Sequence, residues 1–259
     1  DGGSRLLAPR MMPVDLEAKA GTLIFLEDVE QTEAQAQQIK LAALGRLSAS
    51  IAHEIRNPLS AIKQAAQLIG EETLDRPQAQ ALTSMIDKNV SRIDRIVRDV
   101  SLLGRRDRGA PVVFELALML SEIVKDLCQS LPAPTNAFRV APPGGARVYA
   151  DRGHFEEMMV NLLSNAWRHS QRKSASVTVL TNMDEQKQRA VISVIDDGPG
   201  VSSEIADRIF EPFFSGSGST GLGLYLVREL ALANGGSVRL GASQVGARFV
   251  LELPLMQEL

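Results

Sequence analysis

A single cysteine, Cys128, stands among 259 residues, which excludes an intramolecular disulfide framework and points to a reducing compartment. Histidine is nearly as scarce: His53, His154 and His169 are scattered, and no CxxC or HExxH metal spacing occurs. No apolar run approaches the roughly 20 residues needed to span a bilayer, and the first residues lack the charged and apolar regions of a signal peptide. The segment as given is therefore read as cytoplasmic. It opens on Asp1-Gly-Gly-Ser without an initiator Met, so a fragment is expected, with sensing or membrane-anchoring parts upstream. An excess of positive charge is missing too. Lys and Arg number 28 against 31 Asp and Glu, a net charge of −3, which leaves no basic field to hold nucleic acid or an anionic membrane. There is also no GxxxxGK[ST], so any nucleotide site is not a P-loop.

What is present is a 44 % hydrophobic chain, long enough for one large or two modest domains with their own cores. Residues 5–14 and 21–29 read as two apolar strands, too few for a core alone and expected to be the end of a domain cut short. A long helical pattern runs over 31–70, interrupted at Pro58, and a second over 77–106. The first carries Leu44, Leu47, Ile51, Ile55, Leu59 and Ile62 at three- and four-residue steps. The second repeats the stripe at Leu82, Met85, Ile86, Ile93, Ile96, Val97, Val100 and Leu103. One hairpin buries only part of those stripes; two paired hairpins, a dimeric four-helix bundle, would cover the rest. After the charged, Gly-containing stretch 104–110 the pattern changes. Helices are expected near 116–130, 152–170 and 222–234, with strands near 137–140, 146–149, 174–182, 189–196, 236–241 and 247–254. That is an α+β sandwich with helices on one face of a sheet. Residues 198–221, rich in Gly and Ser, read as a long loop of the kind that forms a lid.

The first helix carries His53-Glu54-Ile55-Arg56-Asn57-Pro58. At ~100° per residue from Ile51, His53 falls about 200° round, on the solvent side. Asn57 lies one turn on and Glu54 beside it, so an imidazole, a carboxylate and a carboxamide converge. Phosphoryl transfer to nitrogen needs a neutral imidazole with one nitrogen available. A carboxylate accepting the other nitrogen's proton fixes the tautomer and supports the developing cation. Pro58 cannot donate to the Glu54 carbonyl, so the helix should bend there. Taken alone, a His followed by Glu also fits ordinary helix surface.

Three further elements suit a nucleotide. Asn161 and Asn165 lie four apart on one helical face, and carboxamide oxygens suit Mg²⁺, which takes few protein ligands beside phosphates. Asp196-Asp197-Gly198-Pro199-Gly200 ends an apolar strand in an acidic turn whose glycines admit a ligand to the backbone. A carboxylate there can accept from an adenine amino group. Thr220-Gly221-Leu222-Gly223-Leu224 opens a helix, whose N-terminal N–H groups and dipole favour phosphate. Each alone also fits a polar surface pair, a common turn or a helix cap.

Their order changes the reading. HEIRNPL on its helix resembles the phospho-acceptor box of histidine kinases with a HisKA dimerisation domain. NLLSNAWRHS, VIDDGPG, IFEPFF and TGLGLYLVREL, in that order, resemble the N, G1, F and G2 boxes of the Bergerat-type (GHKL) ATPase domain of the same family. The resemblance covers about residues 35–254. It implies that His53 is phosphorylated, that Glu54 activates it, and that Asn57 positions water for dephosphorylating a partner. It further implies that Asn165, with Asn161, binds Mg²⁺, that Arg168 contacts phosphate and that His169 flanks the nucleotide. Asp196 would read the adenine amino group, Gly198 and Gly200 would line the pocket, and Gly221, Leu222 and Gly223 would lie beneath the phosphates. Phe210, Phe213 and Phe214 are the lid's apolar anchors or an ordinary small core. LAALGRLSASIAHEIRNPLSAI with NAWRHS looks most like the PilS type of sensor, which controls type IV pilus genes, with NtrB-like nitrogen sensors as relatives.

The expected organisation is thus a PAS-like remnant over 1–30, a dimerisation and phosphotransfer hairpin over 31–108, and an ATP-binding domain over 109–259. The expected activity is ATP- and Mg²⁺-dependent autophosphorylation of His53, then transfer to an Asp of a separate response regulator. The expected state is a homodimer, membrane-linked only through upstream regions. One departure stands out: the lid lacks the usual Lys, and Ser219 replaces the usual Gly. That keeps open a catalytically weak signalling module acting by binding or as a regulator phosphatase; a Bergerat ATPase without His chemistry leaves HEIRNPL without a role.

Overall fold

A computed structural model of the chain describes residues 7–16, 19–70, 75–104, 110–131, 133–134, 136–141, 145–214 and 220–256, with side chains described from Ser48 onward except over 102–104. Two compact units result, residues 1–56 and 57–259.

The first unit holds an antiparallel hairpin of β1 (Leu7–Leu16) and β2 (Lys19–Asp28), in register from Leu7 opposite Asp28 to Leu16 opposite Lys19. From it runs α1 (Val29–Ile69), a 41-residue helix that continues into the second unit. The interruption expected at Pro58 does not occur: Pro58 lies inside α1 and is buried. Proline removes one backbone hydrogen bond and crowds one carbonyl, a local cost that a helix this long absorbs through its remaining bonds. The stripe residues Leu44 and Leu47 lie outside the residues whose side chains are described.

In the second unit the remainder of α1 is followed by α2 (Arg76–Gly104), which completes a helical hairpin. Asp75 caps α2, accepting from the Gln78 N–H at 2.8 Å while the Gln78 side chain accepts from the Asp75 N–H, a reciprocal box at the helix start. Ala65 and Ile96 are fully buried, whereas Leu59, Met85 and Val97 of the two stripes, together with Val90, stay 44–55 % exposed among the described residues.

The rest of the unit is the α/β sandwich. Five strands, β4 (Phe138–Ala141), β6 (Val177–Asp184), β7 (Arg189–Asp196), β8 (Ser237–Gly241) and β9 (Arg248–Pro254), form one sheet in the order β4-β6-β7-β9-β8, parallel only between β4 and β6. Three helices, α3 (Leu116–Ser130), α4 (Arg152–His169) and α5 (Gly223–Ala233), share its core. The alternation that predicts β7 is visible in its burial: Ala190, Ile192 and Val194 are fully buried and face the helices. The sequence pattern does not predict β3 (Val112–Glu115), which pairs antiparallel with β5 (Arg147–Ala150) as a separate ribbon. Four residues carry too little alternation to signal a strand, and β3 is fixed by its partner rather than by its own pattern.

Candidate functional site

The site is organised by α4. Asp151 caps it, accepting from the His154 N–H at 2.8 Å. Phe155, Met158, Met159, Leu162, Leu163, Ala166 and Trp167 then recur at helical spacing and are buried. Each fully buried large apolar side chain contributes about 1.5–3 kcal/mol, which fixes the rotation of the helix. With that face committed to the core, Asn161 and Asn165 fall on the half-buried flank, Arg168 beside them, and His169 at the exposed end. The Asn161 amide donates to the Glu157 carbonyl at 2.9 Å and to Glu157 Oε1 at 3.0 Å. Its oxygen is thereby turned towards Gly223: a Cβ built there would lie 2.7 Å from Asn161 Oδ1. The asparagine and the start of α5 can approach this closely only because residue 223 is glycine.

Asp196 ends β7 and is 4 % exposed. Its Oδ1 accepts from the Gly198 N–H at 2.9 Å and from the Ala247 N–H at 3.1 Å. Two backbone donors on one oxygen hold the carboxylate in a single orientation. Asp197 anchors the turn to the end of α4, accepting from the Gln171 N–H at 2.9 Å and from the Ser176 hydroxyl at 2.8 Å. Gly198 is pressed against that helix end, where a Cβ would fall 2.2 Å from the His169 carbonyl oxygen. Gly200 adopts φ +79°, and a Cβ there would lie 3.1 Å from the Gly246 oxygen. Gly246 was not singled out in the sequence, yet at φ +66° its Cβ would fall 1.8 Å from the Asp196 carbonyl oxygen. Its only local signal is a glycine in the turn before β9.

The third element is Gly221-Leu222-Gly223 at the start of α5. Gly221 takes φ +67° against Phe213, whose N–H donates to the Gly221 carbonyl at 2.9 Å. Leu222 is fully buried, and its N–H donates to the Thr220 hydroxyl at 3.3 Å. Among the aromatic residues before it, Phe210 packs edge-on to Phe249, and the Arg208 guanidinium lies 4.8 Å from the Phe214 ring centre. Residues 202–214 thus form a chain of turns seated on the sandwich core through Ile209, Phe210 and Phe214. The stretch 215–219, where the sequence shows no Lys, lies outside the described residues, as does most of the expected linker over 104–110.

Elements far apart in sequence, Asn161, Asn165 and Arg168 on α4, Asp196, Gly198 and Gly200 after β7, and Gly221 to Gly223 before α5, therefore belong to one domain. Direct contacts tie Asn161 to Gly223 and Gly198 to His169. Burial, then the nearby charges of Arg95 and Arg172, lower the Arg168 pKa from its ordinary value, which marks a place where an anion would be welcome. Among the described residues no trio of His, Cys, Asp or Glu is placed to hold a metal. A divalent ion here would draw on the Asn161 and Asn165 carboxamides and on phosphate, a hard oxygen set that fits Mg²⁺. His53, exposed, and Glu54, half-buried, stand on α1 in the first unit; Asn57, exposed, follows one turn on.

Residues 43–109 match the family model of the His Kinase A (phospho-acceptor) domain, and residues 150–257 match that of the histidine kinase-, DNA gyrase B- and HSP90-like ATPase. The chain is 39 % identical over 230 residues to the sensor protein kinase PilS of Pseudomonas aeruginosa, covering 87 % of this chain and 43 % of that protein. To the sensor histidine kinase ZraS of Klebsiella oxytoca it is 33 % identical, covering 86 % and 48 %. It spans less than half the length of both relatives. Among solved structures, histidine kinase ThkA in complex with response regulator protein TrrA matches with a TM-score of 0.74 at 24 % identity, covering 99 % of this chain and 77 % of that one. Full-length ShkA in complex with AMPPNP matches at 0.58 and 24 %, covering 81 % and 46 %. These two likenesses establish the fold.

Proposed function

Because the chain belongs to the sensor histidine kinases, a HisKA domain followed by an ATPase domain of the histidine kinase type, we propose that it phosphorylates its own His53 from ATP and passes the phosphoryl group to an aspartate of a separate response regulator. The observation that carries this reading is the pairing, in one chain, of an exposed His53 inside HEIRNPL with a domain that holds both a buried Asp196 carboxylate, fixed by two backbone donors, and Asn161 against Gly223 at the start of α5.

The chemistry follows from the parts. Asp196 accepts a hydrogen bond from the adenine amino group, while Gly198, Gly200 and Gly246 keep the pocket wall at backbone thickness. Asn161 and Asn165 hold Mg²⁺, which offsets phosphate charge, and Arg168 and the start of α5 contact the phosphates. His169 flanks the nucleotide from the end of α4. A neutral His53 nitrogen attacks the γ-phosphorus in line; the new N–P bond forms as the P–O bond to ADP breaks. Glu54 accepts the proton of the other ring nitrogen, and Asn57 positions water when the phosphorylated regulator is hydrolysed. Catalysis of this type is mainly positioning and charge stabilisation.

The half-exposed apolar side chains of Leu59, Met85, Val90 and Val97 are the surface on which a second copy would complete a four-helix bundle. The hairpin β1-β2 is the end of a PAS-like input domain, residues 31–108 form the phosphotransfer hairpin, and 109–259 the ATP domain. Among the described residues no helix is long and apolar enough to cross a membrane, so anchoring would come from other regions of the protein. Identity to PilS supports control of type IV pilus genes as the output. The test is incubation with γ-³²P-ATP and Mg²⁺: acid-labile label is expected on the parent chain and none on His53→Gln or Asn165→Asp. ATP binding without label would instead favour a signalling module that works by binding, the reading that the Lys-free lid sequence supports.

A further inference from the structure

Asp99, near the end of α2, is 5 % exposed although it carries a charge and belongs to a helix whose neighbouring residues Val97 and Arg98 face solvent. What buries it is the ATPase domain, for α2 touches α5. The Thr220 hydroxyl, also 5 % exposed, donates to Asp99 Oδ2 at 3.4 Å and accepts the Leu222 N–H at 3.3 Å. A relay thus runs from the backbone at the start of α5, through Thr220, to a carboxylate on the helical hairpin. Its position is specific. Leu222 lies between Gly221 and Gly223, and Gly223 abuts Asn161. Two further charge pairs span the same junction: Asp99 feels Glu157, whose side chain holds the Asn161 amide, and Arg95 feels Arg168.

We propose that this relay is an autoinhibitory latch: Asp99, through Thr220, holds α2 over the phosphate end of the nucleotide site and must let go before ATP can seat its phosphates. The inference rests on the nucleotide site proposed above. Two physical reasons make latch and nucleotide exclusive. A phosphate arriving at the start of α5 needs the Leu222 N–H, which the latched Thr220 oxygen already occupies. It would also meet the Asp99 and Glu157 carboxylates, two acidic groups in a site with little water to screen them. Release of α2 removes Asp99 and unpins the Thr220 hydroxyl, so that its local bond to the Leu222 N–H can yield to the ligand. The latch therefore couples ATP binding to freeing the ATPase domain from α2, the freedom it needs to deliver phosphate to a histidine.

The test uses the full chain with Cys128→Ser, Asp99→Cys and Thr220→Cys, the new pair joined by a short bifunctional methanethiosulfonate, alongside Thr220→Val in the parent chain. Binding of Mg²⁺-ATP is followed by calorimetry. The expected result is at least a tenfold loss of affinity in the cross-linked chain, restored by reductant, and a severalfold gain in Thr220→Val, which keeps the side-chain volume while breaking the relay. Equal affinity of linked and reduced chains, or no gain in Thr220→Val, overturns the latch while leaving the nucleotide site standing. A parent chain that binds no ATP overturns both.

Discussion

Asp196 and Ala247, 51 residues apart, exchange a reciprocal pair of hydrogen bonds: the Asp196 N–H donates to the Ala247 carbonyl at 3.0 Å, and the Ala247 N–H donates to Asp196 Oδ1 at 3.1 Å. The carboxylate is thus fixed by the strand that follows it across the sheet, not by its own turn alone. With Oδ1 committed to backbone donors, Oδ2 is the atom that would face a base.

Asp196→Asn separates holding from reading. An asparagine can keep Oδ1 on the Gly198 and Ala247 N–H groups, so the fold should survive, but it then presents an amide donor where adenine also presents a donor. A buried donor facing a donor costs about 1–3 kcal/mol. ATP affinity should fall by roughly tenfold or more, while ITP, which offers a carbonyl at the same position, should lose less. Competition between the two nucleotides in a calorimetric titration measures the ratio, and an unchanged ATP preference would remove Asp196 from base recognition.

Gly246→Ala addresses the frame rather than the ligand. Its φ of +66° disfavours a side chain, and a Cβ would strike the Asp196 carbonyl oxygen. Strain of this kind costs about 1–3 kcal/mol before any displacement of Asp196. Melting should drop by about 4–8 °C for a loss of about 2 kcal/mol in a domain of this size, with weaker ATP binding. Gly145, at φ +82° with nothing within 4 Å of its Cβ, is the control: Gly145→Ala carries backbone strain alone and should melt closer to the parent chain.

These two positions also mark where sequence reading stopped. Asn161 and Asn165 were legible as a pair because they stand four apart on an expected helix, whereas the burial of Phe155, Met158, Leu162 and Ala166 that fixes their side is seen only in the fold. Asp196 and Gly198 were legible because an apolar strand ends there in an acidic glycine turn. Gly246 and the Asp99–Thr220 contact were not, since their partners lie 50 and 121 residues away in sequence and no local period records such pairings. For β3 the reason was length, and at Pro58 a local rule was outweighed by the 41-residue helix around it.

For the phospho-acceptor, binding and chemistry should part. If His53 is the nucleophile, His53→Gln removes it from an exposed position on α1 without touching the ATPase domain, so label should vanish while ATP affinity stays within about twofold of the parent. Glu54→Gln retains the side chain's shape but loses its basicity; general-base assistance is worth about 10²–10⁴-fold in rate. Single-turnover labelling at saturating ATP should slow by at least tenfold. Equal labelling rates for Glu54→Gln and the parent would assign His53 activation to another group.

Asp99 supplies a pH dependence whose sign is fixed. Burial first, then the Glu157 charge, raise its pKa from 3.8 to about 6, against the lowering effects of the Thr220 hydroxyl, Arg95 and Arg98. A carboxyl with a raised folded-state pKa prefers to be protonated in the fold. Its favourable contribution is complete below about pH 4 and is lost as pH rises through about 6. Asparagine imitates the protonated form at every pH and still accepts from Thr220. Asp99→Asn should therefore melt with the parent near pH 4 and above it from pH 7 upwards, and the gap should open mainly between pH 4 and 6.5. Thermal scans of both chains across that range measure it. A gap that stays constant between pH 4 and 6.5 would assign the difference to something other than ionisation of the Asp99 carboxyl.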